Sequence, residues 1–268
     1  MSTTLADHFA PSRPNGLGWP IGSLVVVDTH RLLYRPISKN ACTSLKRLML
    51  SLSDTQHKEL LLADRIHTVL DEYDTGLLLH DRDRDEAERI ISGGEYFSFA
   101  VVRDPFTRLL SAYREKFVVN RTVPANQQIT RSVVAAVQGT EQPDLDRGVS
   151  FADFTRHVVS VDPMTLNPHW RPQVLFLEGV DYDRLFRFEA LGDLADELGH
   201  RVGHQVTLEV KNRSRSWRSR RVRGAASLDA GELRKARSVA ARSFMDDDLM
   251  TLISEHFARD YAVWEAAG

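Results

Sequence analysis

Disulfide chemistry is missing from this chain. One cysteine, Cys42, among 268 residues excludes an internal bridge and a metal cage built of cysteine alone, and it suits a reducing compartment. Long apolar runs are also missing: no segment stays hydrophobic for the roughly 20 residues a membrane-spanning helix needs. Met1 to Pro20, with three prolines and two glycines, has neither the basic start nor the apolar centre of a secretory signal. A surplus of one charge is lacking as well, since 35 Lys and Arg stand against 37 Asp and Glu. The net charge of −2 gives no global field to hold a nucleic acid or an anionic membrane, so any anion site must be built locally. These absences predict a cytoplasmic protein without nucleic-acid or membrane partners.

What remains is an ordinary globular balance, 42% hydrophobic and 27% charged, long enough for one large α/β domain. Residues 1–20 read as an irregular arm, because Pro11, Pro14, Gly16, Gly18 and Pro20 interrupt it too often for helix or strand. The expected domain is then 21–268. Ser23 to Asp28 and Arg31 to Tyr34 are short β-rich runs joined by Asp28-Thr-His30, which reads as a hairpin or as one strand broken by a tight turn. Beyond Pro36, Leu45, Leu48, Met49 and Leu52 recur at helical spacing, with Lys46 and Arg47 on the other side. Residues 56–90 read as charged and partly helical, with Asp81 to Glu86 a solvated surface. Tyr96 to Val102 is a buried strand that leads into a helix reaching about Val119. Residues 120–150 carry only a weak helical pattern. Further along, Phe151 to Val159 is expected as a helix, Val174 to Leu177 and Leu185 to Phe188 as strands, and Ala190 to Leu198 as a helix capped by Gly199. The arginine-rich 211–223 reads as a loop, with helices over Asp229 to Ala241 and Asp246 to Tyr261.

Two strand-loop-helix units carry the chemistry. The first is Pro36-Ile-Ser-Lys39-Asn40-Ala41-Cys42-Thr43-Ser44. Small residues let the backbone approach an anion, Thr43 and Ser44 offer hydroxyl donors, and Lys39 supplies a cation. The glycines of a Walker A loop are missing and the lysine precedes the turn, which weakens a kinase or GTPase reading. The same residues can equally make a plain helix start capped by Thr43 or Ser44. The second unit is Arg103-Asp-Pro-Phe-Thr-Arg-Leu-Leu-Ser111-Ala-Tyr-Arg114. Arg103 at a strand end can fork onto a phosphate that Ser111 reaches from the helix, or it can pair with a nearby acid. Asp104 and Pro105 fit the cap and first position of a helix.

Taken together the two segments resemble the donor-binding motifs of the Golgi-type carbohydrate sulfotransferases, the family of the chondroitin and dermatan sulfotransferases. Lys39 to Ser44 is similar to the 5′-phosphosulfate loop, usually Pro-Lys-x-Ala-Cys-Thr, and Arg103 to Arg114 to the 3′-phosphate motif. Weaker similarity reaches Asn167 to Gln173, Phe186 to Glu189 and the C-terminal helix. Ser38 stands where the family usually has proline. The missing apolar span points to a soluble, bacterial-type member. The resemblance implies an α/β, P-loop-like sulfotransferase fold, a central and mainly parallel sheet flanked by helices. It implies transfer of a sulfuryl group from 3′-phosphoadenosine 5′-phosphosulfate to a hydroxyl of a carbohydrate or small molecule, without a metal. Lys39 to Ser44 would hold the 5′-phosphosulfate, and Arg103 with Ser111 the 3′-phosphate.

The acceptor hydroxyl needs a base, and histidine suits neutral pH. His80 ends the run Leu77-Leu-Leu79, where the uronyl 2-O-sulfotransferases, distant relatives, carry their catalytic histidine. His169 lies in a motif placed near the acceptor. Either can instead be structural. Glu189 reads as a helix-dipole partner and Cys42 as a packing residue. Arg215 and Trp217 in the basic loop fit a lid over the nucleotide, with Trp217 stacking on a ring, or a plain solvated loop. Two other readings remain, a small-molecule kinase and a non-catalytic binder of the nucleotide.

Overall fold

A computed structural model describes residues 4–208, 220–236 and 238–268. In chain order the strands and α-helices are β1 (Val25–Val27), β2 (Leu32–Arg35), α1 (Cys42–Leu52), α2 (Lys58–Ala63), α3 (Ile66–Glu72), α4 (Arg84–Ser92) and β3 (Phe97–Val102). There follow α5 (Pro105–Tyr113), α6 (Pro124–Gln138), α7 (Phe151–Ser160), α8 (Val174–Leu177), β4 (Arg184–Arg187), α9 (Leu191–Val202), α10 (Ala230–Lys235), α11 (Asp247–His256) and α12 (Ala258–Ala266). The chain forms two compact units. The first holds the described residues of Met1–Arg103, Gln173–Lys211 and Val263–Gly268, the second those of Asp104–Pro172 and Asn212–Ala262.

The first unit is built on a sheet of order β1-β2-β3-β4. β1 and β2 form an antiparallel pair, the hairpin of the two readings, with Val25 opposite Tyr34, and Arg31 takes a left-handed conformation to close the turn. β2, β3 and β4 run parallel, Leu32 beside Phe97 and Phe99 beside Arg184. Parallel neighbours need long crossovers and bury both faces, which is why these strands read as unbroken apolar runs. On one face Leu32, Tyr34, Phe99 and Val101 pack with Leu45 and Met49 of α1, Ile66 and Val69 of α3, and Leu194 and Leu198 of α9. On the other, Leu24, Val26 and Leu33 meet Ala87 and Ile90 of α4, while Ala100 and Val102 meet Phe176 of α8. This is the α/β architecture expected, a mainly parallel sheet flanked by helices.

Residues 77–79 cover the outer edge of β1, with Val25 opposite Leu78 and the Leu79 amide donating to the Leu24 carbonyl at 2.9 Å. The arm ahead of β1 is irregular but ordered from well before residue 21. The Ser12 amide donates to the Glu72 carbonyl at 3.0 Å and the Asn15 amide to the His80 carbonyl at 2.9 Å. Its polar side chains satisfy a turn that the sequence alone gives no reason to place there.

The second unit packs around aromatic side chains, Phe106, Tyr113, Phe117, Phe151, Phe154, Trp170 and Phe244. Asp104 caps α5 by accepting from the Thr107 amide at 2.8 Å, with Pro105 at the first helical position as its sequence predicts. Ser150 caps α7 by accepting from the Asp153 amide at 3.0 Å. Helix α5 continues into a π-helical turn over Arg114–Val119, and 120–150 contains the 15-residue α6.

Several expectations fail for identifiable reasons. Val174–Leu177 is helical, not a strand; a four-residue apolar run carries no usable period, and the Phe176 amide closes a turn on the Gln173 carbonyl at 2.9 Å. Helix α9 passes through Gly199 and ends at Gly203, whose φ of 78° makes the left-handed cap. Gly199 is small because a Cβ there would lie 3.1 Å from the His204 carbonyl oxygen. Asp81 and Arg82 are not solvated: the Asp81 side chain has no exposed surface, and Arg82 pairs with Asp28 at 2.6 Å and Glu86 at 2.9 Å. Lys46 is buried with the apolar face of α1. The expected Asp229–Ala241 helix is the shorter α10, and the last helix divides at Phe257 into α11 and α12. Among the described residues no helix is long and apolar enough to cross a membrane, and no cluster of three or more His, Cys, Asp or Glu is placed to hold a metal ion.

Candidate functional site

The loop from β2 to α1 lies at the carboxyl end of the parallel strands, where open α/β sheets bind ligands. Pro36 follows β2 and lacks the N–H that would extend the ladder. Lys39 and Ala41 both have left-handed backbones, with φ of 72° and 59°. Neither is glycine, so each conformation costs on the order of 1–3 kcal/mol, a strain that persists only where the surroundings impose it. Alternation of right- and left-handed residues turns successive N–H groups toward one concavity. Ala41 is also the N-cap of α1 and has no polar side chain to offer, so the helix begins without a side-chain cap. The capping role expected for Thr43 or Ser44 is not taken up. A helix start left this way presents N–H groups and the positive end of the helix dipole to an anion.

The surroundings that impose the loop are buried amides. Asn40, fully buried, donates from Nδ2 to the Val101 carbonyl at 2.8 Å and to Gln173 Oε1 at 2.6 Å. Gln173 Oε1 also accepts from the Arg103 amide at 2.9 Å, and Gln173 Nε2 donates to the Arg103 carbonyl at 2.9 Å. One side chain thus fastens the loop to the end of β3. The Arg103 guanidinium lies 4.3 Å from the Phe188 ring centroid and donates to the Lys39 carbonyl at 3.1 Å. Stacking and a carbonyl contact orient the Arg103 fork against the backbone of Lys39, 64 positions earlier in the sequence.

Thr43, the second residue of α1, is exposed, and its hydroxyl lies 2.9 Å from Nε2 of His67 near the start of α3. The Cys42 sulfur is 4.0 Å from the same nitrogen. Sequence reasoning missed His67, which sits in a charged helical stretch with no distinguishing spacing. It missed Gln173 as well, although the Asn167 to Gln173 motif ends on it.

His80 occupies the turn that follows the edge segment 77–79. Since 77–79 lies along β1 and β1 along β2, His80 and the Lys39 loop both lie at the carboxyl end of the parallel strands. Its Nε2 is 3.4 Å from Ser12 Oγ and from Asp81 Oδ1, and Ser12 Oγ donates to Asp81 Oδ1 at 2.7 Å. Burial pushes the Asp81 carboxyl above its usual range. At the same sheet end Arg35, fully buried, donates to Ser23 Oγ at 2.9 Å and to Tyr182 Oη at 3.2 Å. Glu189, just ahead of α9, accepts from Trp264 Nε1 at 3.1 Å, a tether to the C-terminal helix.

In the second unit Ser111 lies on α5, partly exposed. His169 projects from a turn in which Asn167 Oδ1 accepts from the His169 amide at 3.0 Å and lies 2.7 Å from Nδ1. Buried Arg108 holds that turn, donating to the Arg171 carbonyl at 2.8 Å and the Pro168 carbonyl at 3.2 Å. Arg215 and Trp217, and with them the expected lid, lie outside the described residues.

Comparison with known proteins gives a single direction. The model of the Sulfotransferase family matches residues 23–265. Carbohydrate sulfotransferase 14 of Danio rerio is 30% identical over 185 residues, covering 67% of this chain and 48% of the relative, and the Homo sapiens protein of that name is 30% identical over 178 residues, covering 65% and 45%. Carbohydrate sulfotransferase 11 of Danio rerio is 27% identical over 240 residues, covering 82% and 64%. The chain thus spans about half the length of the first of these curated relatives. No solved structure matches. With a family match running from β1 into the last helix and a strained, uncapped lysine loop at the sheet's carboxyl end, the chain belongs to the sulfotransferase family.

Proposed function

We propose that this chain transfers a sulfuryl group from 3′-phosphoadenosine 5′-phosphosulfate to a hydroxyl of a carbohydrate or similar small acceptor. The observation that carries the reading is the β2–α1 loop, an uncapped helix start with two left-handed residues, fastened so that Lys39 and Arg103 adjoin. That set fits the donor, which has a phosphosulfate at one end and a separate 3′-phosphate. The carbohydrate acceptor is supported by the names of the relatives.

The donor supplies an activated sulfur whose bond to the 5′-phosphate oxygen breaks as the acceptor oxygen bonds to it. The N–H groups of Cys42 to Ser44 and the hydroxyls of Thr43 and Ser44 bind the 5′-phosphosulfate end, and Lys39 neutralises charge as it builds on the leaving oxygen. Arg103 grips the 3′-phosphate by a bidentate fork. His80 is the base favoured to take the acceptor proton, because it shares the sheet end with Lys39. Ser111, as a 3′-phosphate ligand, and His169, as the other candidate base, rest on their motifs and on family membership. No metal enters these steps. Residues 21–268 form one working domain in this proposal, supported by a family match that runs through both units. A reducing, cytoplasmic setting goes with it on the strength of the lone Cys42.

Radiolabelled donor incubated with the protein and an extract of its host should yield a labelled hydroxyl product, and EDTA should leave the rate unchanged. A reaction stopped by EDTA and restored by Mg²⁺ would favour a kinase. Binding of 3′-phosphoadenosine 5′-phosphate without label transfer to any acceptor would leave only a nucleotide binder.

A further inference from the structure

The contact between Thr43 and His67 assigns work to a histidine outside both sequence motifs. Thr43 stands in the first turn of α1, and its Oγ1 is 2.9 Å from His67 Nε2. The approach is held from beneath: Ile66 and Leu70, on either side of His67 along α3, are buried in the same apolar cluster as Leu45 and Met49 of α1. Packing of the two helices therefore fixes the imidazole beside the hydroxyl, while both side chains stay at the surface.

A threonine hydroxyl has one proton and two lone pairs. If Nε2 is bare, it takes that proton, and Oγ1 turns lone pairs toward the mouth of the loop, where they repel an anion. If Nε2 carries a proton, it donates to Oγ1 and leaves the threonine proton to point outward. The imidazole thus decides whether Thr43 repels or binds a phosphate.

We propose that His67 is a positioning residue of the donor site, donating from Nε2 to Thr43 Oγ1 so that the single Thr43 proton is directed onto the 5′-phosphosulfate. The inference rests on the donor reading given above and adds to it a residue that touches no donor atom itself. An exposed pair of this kind contributes little to folding, so its effect falls on affinity.

Isothermal titration of 3′-phosphoadenosine 5′-phosphate into the intact protein tests it, with His67→Ala, His67→Gln, Thr43→Val and the Thr43→Val/His67→Ala double variant. Loss of one directed hydrogen bond to a charged ligand should weaken binding about tenfold in His67→Ala, with an unchanged thermal midpoint. In His67→Gln the new side-chain amide can donate from a similar position, so this variant should recover most of the affinity. In the Thr43→Val background the second substitution should add nothing, because the hydroxyl it acts through is gone. Nitrogen-15 spectra of the complex should show His67 Nε2 protonated. Wild-type affinity in His67→Ala, tighter binding in it, losses that add in the double variant, or a bare Nε2 in the complex would each overturn the proposal. No binding by the wild-type protein overturns the donor reading and this inference with it, whereas normal wild-type binding with an indifferent His67 overturns this inference alone.

Discussion

Two parallel strands, β2 and β3, run through short polar turns into helices, and the two helix starts differ in what they leave open. Ahead of α5, Asp104 caps the helix with its own carboxylate and Pro105 occupies the position whose N–H would lack a partner. That start is self-sufficient, and what the preceding residue, Arg103, offers is a side chain. Ahead of α1 the cap is Ala41, whose side chain makes no cap hydrogen bond, and the backbone is left-handed at Lys39 and Ala41. The α5 start is completed by its own side chain; under the proposed function, the α1 start gives up stability to keep backbone donors turned toward the donor nucleotide. Sequences that look alike, a strand followed by a polar turn and a helix, therefore differ in which residue caps the helix, and on the proposed reading that separates a structural start from a binding one.

Substitutions can break this contrast. Lys39→Ala should lower turnover roughly a thousandfold, the scale for removing one transition-state charge partner, with no change in thermal midpoint; residual activity within about tenfold of wild type would place the reacting oxygen elsewhere. Arg103→Ala should weaken 3′-phosphoadenosine 5′-phosphate by roughly a hundredfold, the loss of a charge-assisted fork, as read by titration calorimetry. Asp104→Ala should do the reverse, costing about 1 kcal/mol of stability and about 2–4 °C of thermal midpoint while nucleotide affinity holds. The smallest effect sharpens the comparison most. Ala41→Gly removes left-handed strain and should raise the midpoint by about 2 °C, yet it frees the loop, so affinity should fall a few-fold. A glycine variant both more stable and tighter binding would show that the strain serves no purpose.

The parts of this arrangement legible in sequence are those with a period or a local signature. Strands β2 and β3 announce themselves through apolar runs buried on both faces, and Asp104-Pro105 through capping chemistry. Lys39 and Arg103 stand out because each follows such a strand. The parts that stay hidden depend on partners far along the chain. Asn40 and Gln173 meet across 133 positions, and nothing in either segment predicts the other. His67 is chosen by the packing of α3 on α1, which no spacing records. Val174–Leu177 is too short for its apolar pattern to separate helix from strand, and Asp81 looks solvated because the arm residue that covers it, Ser12, lies 69 positions earlier.

The Gln173 bridge also sets an order of assembly. On the ribosome both motif segments emerge well before this glutamine, 70 positions ahead of it in the case of Arg103. A nascent or truncated chain ending before Gln173 would carry every residue of the lysine loop without the amide that locks it, and so would have the proposed donor site in composition only. Under the proposed function, competence to bind nucleotide should therefore appear only after Gln173 has been made.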